Sequence, residues 1–236
     1  MGTKIKGICK LCYKRRCLQN SHIIPEFMYK YVYEVTDHRY HRVYIETGKK
    51  RIEQKGLCEP LLCASCESHF SDLERRFSLD IRIPDKVDSP TLQLDVDYTK
   101  VKLCLLSVLW RADVSSLDAF SAVTLGDKHE NRLRDMLLKS DPGGEFDYGI
   151  LGHIVLKPNS TTQVAKSVIA FPATRRHPKY RYRMYGFIAA GVMWGIYVTA
   201  PTDGKSADIS LYADGRMELG KAPTPCDMPL AEAFSV

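Results

Sequence analysis

Two C-x-x-C pairs, Cys9 with Cys12 and Cys63 with Cys66, are the residues whose types and spacing most clearly indicate chemistry. Four thiolates arranged in two such pairs suit a tetrahedral zinc ion, because one tight turn presents both sulfurs of a pair. The chain has eight cysteines, and its basic N-terminus is not followed by the apolar segment of a secretory signal. We therefore expect a reducing, cytoplasmic setting, in which paired cysteines indicate a metal site before disulfides.

The competing interpretation is that these cysteines are buried free thiols, since cysteine is often buried without a ligand role. Two matched pairs favour the zinc site. Cys17 and Cys58 are the alternative ligands if one of the four is misassigned, whereas Cys104 and Cys226 are isolated and predicted to pack. Residues 13–62 lie between the two pairs, which is more than a simple zinc ribbon needs.

A histidine lies in that inserted segment, in the stretch N-S-H-I-I-P that ends at Pro25. A lone histidine beside apolar residues is more often a satisfied core residue than a catalyst. An imidazole nevertheless suits a general base, because its unperturbed pKa of about 6.5 lets it accept a proton at neutral pH. Since His22 is flanked by both cysteine pairs, we favour the catalytic interpretation.

The order C-x-x-C, then S-H-I-I-P, then L-L-C-x-x-C followed by an acidic residue and a helix resembles the HNH, or ββα-metal (His-Me finger), endonucleases. It is similar to their zinc-stabilised, phage endonuclease VII-like members, in which two cysteine pairs pin a hairpin and a helix. The resemblance covers roughly residues 8–78. It implies that His22 is the general base that activates water, and that Glu67 binds a catalytic Mg²⁺ or Mn²⁺.

The sequence departs from the family pattern at one position that matters for metal binding. Many members have an aspartate before the catalytic histidine as a second metal ligand, but this chain has Ser21. Glu74 follows Glu67 by seven residues and so lies on the same helix face, which makes it the first candidate for direct or water-mediated help. His69 and Asp72 are less well aligned, and a clear central asparagine is missing.

The elements that must position these residues fall into two regions. Pro84 and Pro90 bracket three charged residues and discourage regular structure there. We therefore predict a zinc-binding, HNH-like domain over residues 1–83, a linker over 84–95 and a second domain over 96–236.

Periodicity predicts the secondary structure within both regions. Phe70, Leu73 and Phe77 are spaced for the buried face of a helix, and two further helices are predicted at 97–116 and 127–140. Short strand-like runs follow from residue 149 onward. The predicted fold class is α+β: a zinc-stabilised, treble-clef-like ββα-metal unit, then an α+β domain with a mostly antiparallel sheet.

The most apolar stretch, residues 186–200, carries no charge and is shorter than the roughly 20 residues that a helix needs to cross a bilayer. It also contains three glycines and several β-branched residues. We predict a buried part of the sheet and no membrane association.

Charge indicates which partner to expect. Residues 1–80 carry 15 Lys and Arg against 10 Asp and Glu, whereas residues 81–236 carry 19 against 18. This excess is compatible with a phosphate-rich partner, although it is also common on ordinary surfaces. The resemblance implies DNA, with RNA as an open alternative, and leaves room for an activating protein partner or a homo-oligomer.

Several basic residues are candidate nucleic-acid contacts. Arg75 and Arg76 lie off the buried face of the predicted helix, and Arg181 and Arg183 alternate along a predicted strand over residues 175–185. That strand is as easily an edge strand whose charges prevent aggregation. The basic clusters at 14–16 and 49–51 either bind phosphates beside the site or form solvated loops.

The sequence therefore favours a metal-dependent DNA endonuclease with a structural zinc, resembling small nucleases of phages and of bacterial antiviral defence. The alternative is a zinc-stabilised module that binds nucleic acid or protein without cutting, which Ser21 favours. A RING-like interaction module would need eight metal ligands, and only one set of four is visible.

Overall fold

The computed structural model of the chain describes residues 5–32, 40–43, 50–53, 56–176, 183–199 and 208–222. Over these ranges the fold is α+β, with mostly antiparallel sheets, as the sequence predicts. No helix within them is long and apolar enough to cross a membrane.

The N-terminal region is a three-stranded antiparallel sheet followed directly by a long helix. Its elements in chain order are β1 (Lys6–Ile8), β2 (Arg15–His22), α1 (Glu26–Tyr29), β3 (Tyr40–Val43), β4 (Lys50–Glu53), β5 (Cys58–Cys63) and α2 (Ala64–Asp80). The sheet order is β1-β2-β5, and β3 and β4 form a separate hairpin. Helix α2 buries Phe70, Leu73 and Phe77, the helix face that the sequence predicts.

The second region places helices before and beside a six-stranded sheet. Its elements are β6 (Thr91–Asp95), α3 (Tyr98–Val114), a 3-10 turn (Asp118–Phe120), α4 (Asp127–Lys139), β7 (Ile150–Ile154), β8 (Ala170–Arg176), β9 (Arg183–Ala189), β10 (Val192–Thr199) and β11 (Arg216–Lys221). The strand order is β6-β11-β7-β10-β9-β8, and β11 pairs with β7 in parallel. Residues 186–200 are predicted as buried sheet, and 186–199 lie in β9, β10 and the turn joining them.

The stretch predicted as a linker, residues 84–95, contains regular structure. Residues 91–95 form β6, which pairs with β11 and places Leu92 opposite Leu219. The Val87 N–H also donates to the Thr162 carbonyl at 2.9 Å. Leu92 and Leu94 alternate with exposed residues, a period-two pattern that the neighbouring prolines obscure.

The prediction of one continuous strand over residues 175–185 is wrong. Strands β8 and β9 pair antiparallel with Arg176 opposite Arg183, so the chain reverses direction between them. Pro178 in this stretch cannot donate to a strand ladder, and that signal matters more than the alternation of cations. Lys179 and Arg181 lie outside the described residues.

Helix α3 lies at the centre of the molecule, with every side chain from 101 to 112 buried. It begins where the Asp97 side chain accepts a hydrogen bond from the Lys100 N–H at 3.0 Å. Two charged residues on this buried helix have partners. Lys102 donates to the Gly144 carbonyl at 2.6 Å, and Arg111 contributes to the candidate site.

The two regions share one continuous hydrophobic core. The Phe70 ring lies edge-on to Trp110 of α3 with centroids 6.2 Å apart, and the Phe77 ring lies 5.7 Å from Trp194 of β10. Because α2 covers both α3 and the sheet, the N-terminal region is held in place by the second region.

Replacing Phe77, which is 1% exposed, by alanine should lower the free energy of unfolding by about 3–5 kcal/mol. Since the core is shared, thiol accessibility and tryptophan fluorescence should report one transition with one midpoint. Leu79→Ala, at a 47% exposed position on the same helix, is the control and should change stability by less than about 0.5 kcal/mol. Two separate transitions in the unmodified protein would contradict the shared core.

Candidate metal centre and adjoining polar site

Four cysteine sulfurs converge where the N-terminal sheet meets α2. The Sγ atoms of Cys9, Cys12, Cys63 and Cys66 all lie within 4.8 Å of one another, and those of Cys12 and Cys63 are 3.9 Å apart. Thiolates about 2.3 Å from one tetrahedral zinc ion would be about 3.8 Å apart. The cluster therefore fits a structural metal ion such as zinc, as the two C-x-x-C pairs predict.

Local backbone structure presents the two pairs to each other. The first pair sits in a turn in which the Cys9 N–H donates to the Lys14 carbonyl at 3.0 Å, and Tyr13 takes the left-handed φ of 57°. Cys63 ends β5 in an extended conformation directly before α2, and Cys66 lies in the first turn of that helix. The Cys63 N–H points at the Cys9 sulfur, 3.3 Å away.

Burial and the hydrogen bonds within the cluster shift the pKa values of these thiols in opposite directions. Burial opposes ionisation of Cys63, but hydrogen bonds from Ser65, from Cys66 and from Cys9 outweigh it and lower its pKa to about 6. Burial raises the pKa of Cys9, and burial together with the neighbouring thiols raises that of Cys66. Metal binding must therefore displace protons from the cluster.

Within the described ranges, this is the only group of three or more His, Cys, Asp or Glu side chains that converges in this way. The alternative ligands Cys17 and Cys58 are outside it, and Cys104 is fully buried in α3, as its predicted packing role requires. His22, Glu67 and Glu74 do not form a second such group.

A polar site adjoins the cysteine cluster where β2 ends and α2 begins. Ser21 is fully buried, and its hydroxyl donates to Glu67 Oε2 at 3.2 Å while accepting the Leu62 N–H at 3.3 Å. Ser21 thus holds Glu67, the predicted metal ligand, against the sheet. Strand β2 and helix α2 are connected through this pair.

The imidazole of His22 is oriented by a carboxylate that the sequence analysis did not identify. Its Nε2 lies 2.7 Å from Glu26 Oε2, and the side chain is 32% exposed. The ring lies against Gly56, where an added Cβ would come within 3.1 Å of the imidazole. The spacing of four residues between His22 and Glu26 was visible, but the intervening Pro25 hid it because proline interrupts helical periodicity.

Arg111 of α3 is the second residue of the site that sequence reasoning missed. Only 1% of its side chain is exposed, and it donates to the His22 carbonyl at 2.6 Å and contacts Glu74 Oε1 at 3.0 Å. Two further bonds go to the carbonyl and hydroxyl of Ser107. A buried guanidinium needs such partners, because an unpaired buried charge costs several kcal/mol.

Glu67 and Glu74 lie on one face of α2, as their spacing predicts, and the charge of Glu74 acts on the Glu67 carboxyl. Burial raises the pKa of the Glu67 carboxyl, Arg111 and the Ser21 hydroxyl lower it, and Glu74 raises it further. Glu74 is already paired with Arg111, so its role in metal binding is restricted. The other helix residues point elsewhere: His69 contacts the Leu137 carbonyl at 2.8 Å.

The predicted nucleic-acid contacts are mostly engaged within the protein. Arg75 pairs with Asp72 at 3.3 Å, and Arg76 pairs with Asp80 at 2.8 Å, both on α2 itself. Arg183 donates to the Leu125 carbonyl at 3.0 Å, and Arg181 lies outside the described residues.

No protein-family model, curated protein sequence or solved structure matches the chain.

We expect the folded protein to contain about one zinc ion per chain, because the four sulfurs form one set of ligands. Cys63→Ser should release the metal and lower the unfolding midpoint by about 10 °C. Elemental analysis and thermal unfolding check both outcomes. Cys17→Ser is the control, since Cys17 lies outside the cluster, and it should retain zinc. A folded, zinc-free full-length protein would exclude the metal centre.

Proposed function

We propose that the protein is a metal-dependent endonuclease of the HNH type that hydrolyses DNA phosphodiester bonds. The observation that carries the proposal is the contact from Ser21 Oγ to Glu67 Oε2, which brings the end of β2 and the first turn of α2 together beside the cysteine cluster. The proposal is supported by the order of elements, a strand that ends in His22, a second strand paired with it and a following helix, which is the order expected of a ββα-metal motif.

The proposed general base is His22. Because Glu26 accepts a hydrogen bond from Nε2–H, the neutral imidazole has its lone pair on Nδ1. Nδ1 would take the proton from a water molecule that attacks phosphorus. The Arg111 bond to the His22 carbonyl fixes the backbone, so the ring turns only about its own side-chain bonds.

Glu67 is the proposed ligand of the catalytic Mg²⁺ or Mn²⁺. Such an ion is commonly held by one or two carboxylates together with substrate phosphates, so a single glutamate fits the protein's share of the ligands. When bound, the ion supplies stabilisation of negative charge on the leaving oxygen. Ser21 orients one Glu67 oxygen, and Glu74 keeps Arg111 in position.

The second candidate is a zinc-stabilised module that binds nucleic acid or protein without cutting. Two observations favour it: Glu74 is neutralised by Arg111, and His22, Glu67 and Glu74 do not converge into a compact ligand set in the described structure. Plasmid nicking with Mg²⁺ or Mn²⁺ separates the two candidates, since only the first predicts it.

His22→Ala should lower the rate of phosphodiester cleavage by at least about 100-fold, because a positioned general base contributes about 10²–10⁴-fold. Zinc content and the unfolding midpoint should stay unchanged. His129→Ala is the control, since His129 contacts Tyr148 away from the site and should not be needed for cleavage. Supercoiled-plasmid nicking measures the rates. Equal rates in the two variants would remove His22 from the mechanism.

Ser21→Asp tests the metal site without an activity readout. A buried aspartate beside Glu67 should destabilise the metal-free protein by about 2 kcal/mol through like-charge repulsion and desolvation. Added Mn²⁺ should restore the unfolding midpoint, because a second carboxylate strengthens binding of the ion to the folded state. Ser21→Asn is the control, because asparagine is close to aspartate in size but carries no charge. If the two variants show the same dependence on Mn²⁺, no divalent ion binds beside Glu67.

A further inference from the structure

The first strand pair and the turn within it carry positive charge without any acidic residue. Residues 5–25 contain five lysines and arginines and neither aspartate nor glutamate. All five cations are exposed, and none forms an ion pair with a residue in the described ranges. We call these cations and the exposed tyrosine among them the knuckle surface: Lys6, Lys10, Tyr13, Lys14, Arg15 and Arg16.

Strand β2 connects the knuckle surface to the polar site. Arg15 and Arg16 begin the strand and His22 ends it. Seven residue steps at about 3.3 Å each cover about 23 Å. The exposed residues between them, Gln19 and Asn20, are uncharged. A chain of phosphates lying along β2 would therefore meet no carboxylate on this strand between the knuckle surface and His22.

Tyr13 at the tip of the turn is held in place while remaining accessible. Its side chain is 51% exposed, and the Arg134 guanidinium lies over the ring, 4.5 Å from its centroid. Arg134 also donates to the Leu11 carbonyl at 3.2 Å, which ties α4 to the turn. Nucleic-acid bases stack on exposed aromatic rings that lie among cations, and Tyr13 is such a ring.

We propose that the knuckle surface binds the phosphate backbone of a nucleic acid that extends along β2 from the site around His22. The inference rests on the proposed function and deepens it, because one nucleic acid would occupy both places. At 3.4 Å per base step, 23 Å corresponds to about seven steps of duplex. The bound substrate would thus be contacted well beyond the bond that is cut.

Charge balance at the zinc centre is the simplest alternative. Four thiolates and one Zn²⁺ leave a net charge of −2, which nearby cations would offset. None of the five knuckle cations donates to a cysteine sulfur in the part of the chain that is described, and their charged groups face solvent. Their arrangement therefore fits an external anion better than the cluster.

An acidic protein segment is the other polyanion to consider. Such a segment would add to the free edge of β1, since an edge strand offers unpaired backbone groups. Of the five cations, only Lys6 lies on β1; Lys10 and Lys14 lie in the turn, and the arginines begin β2, which is an interior strand. This placement favours phosphates over a paired peptide strand.

The test measures binding in a His22→Ala background, so that the substrate stays intact. Zinc-loaded protein is titrated into a fluorescein-labelled DNA duplex of about 30 base pairs, without added Mg²⁺, over a series of salt concentrations. Arg15→Gln with Arg16→Gln should raise the Kd about tenfold and reduce the salt slope by about 1, because Arg16 lies on the same face of β2 as His22 and its phosphate contact is lost.

Two further double variants make the comparison specific. Arg82→Gln with Lys128→Gln makes the same change in net charge at two exposed cations that form no ion pair with a described residue, and should leave the Kd unchanged. Lys10→Gln with Lys14→Gln removes two other knuckle cations and should weaken binding like the arginine pair. The zinc content of each variant confirms that it is folded. If the arginine double variant loses zinc, the lysine double variant is used in its place.

Each outcome supports or overturns the inference. An unchanged Kd in both knuckle variants, or an equal loss in the Arg82 and Lys128 control, overturns it. Displacement by polyglutamate as effective as by unlabelled duplex also overturns it and indicates an acidic protein partner. A protein that binds DNA through these cations yet never nicks it refutes the nuclease proposal alone, whereas cleavage with unchanged knuckle binding refutes only this inference.

Discussion

A buried guanidinium holds three elements of the candidate site in one arrangement. Arg111 lies inside α3 with 1% of its side chain exposed; its Nη1 contacts two other elements, and its Nε and Nη2 donate to Ser107 within α3. Glu74 on α2 and the carbonyl of His22 at the end of β2 are its partners outside α3. Since removing one partner of a buried charge costs about 3–5 kcal/mol, these three elements keep one relative position.

The same guanidinium explains how two carboxylates can lie close together in the polar site. Two carboxylates on one helix face would repel each other, and Arg111 offsets that repulsion from the side of the second region. The cysteine cluster includes Cys63, the last residue of β5, and Cys66 in the first turn of α2, so it holds the junction of these two elements. Neither region alone supplies all the groups of the site, because β2 and α2 come from one and α3 from the other.

The features that could be predicted from the sequence depend on residues close together in the chain. The ligand spacing of the cysteines and the helical period of Phe70, Leu73 and Phe77 are each readable within one turn or one element, and the structure has both. Arg111 could not be found in this way, since its contact with His22 spans 89 positions. Strand β6 and the reversal between β8 and β9 were missed for a related reason: pairing partners are chosen by the whole sheet, and proline signals compete with alternation.

The contact between Phe77 and Trp194 also has a consequence for the order of events on the ribosome. The cysteine pairs and α2 leave the exit tunnel first, but the ring that covers Phe77 is made more than a hundred residues later. At about 5–20 residues per second, the side of Phe77 that Trp194 covers stays exposed for roughly 10 s. During that interval a zinc ion on the four cysteines would be the main restraint on the nascent N-terminal half, and chaperones would find their binding surface there.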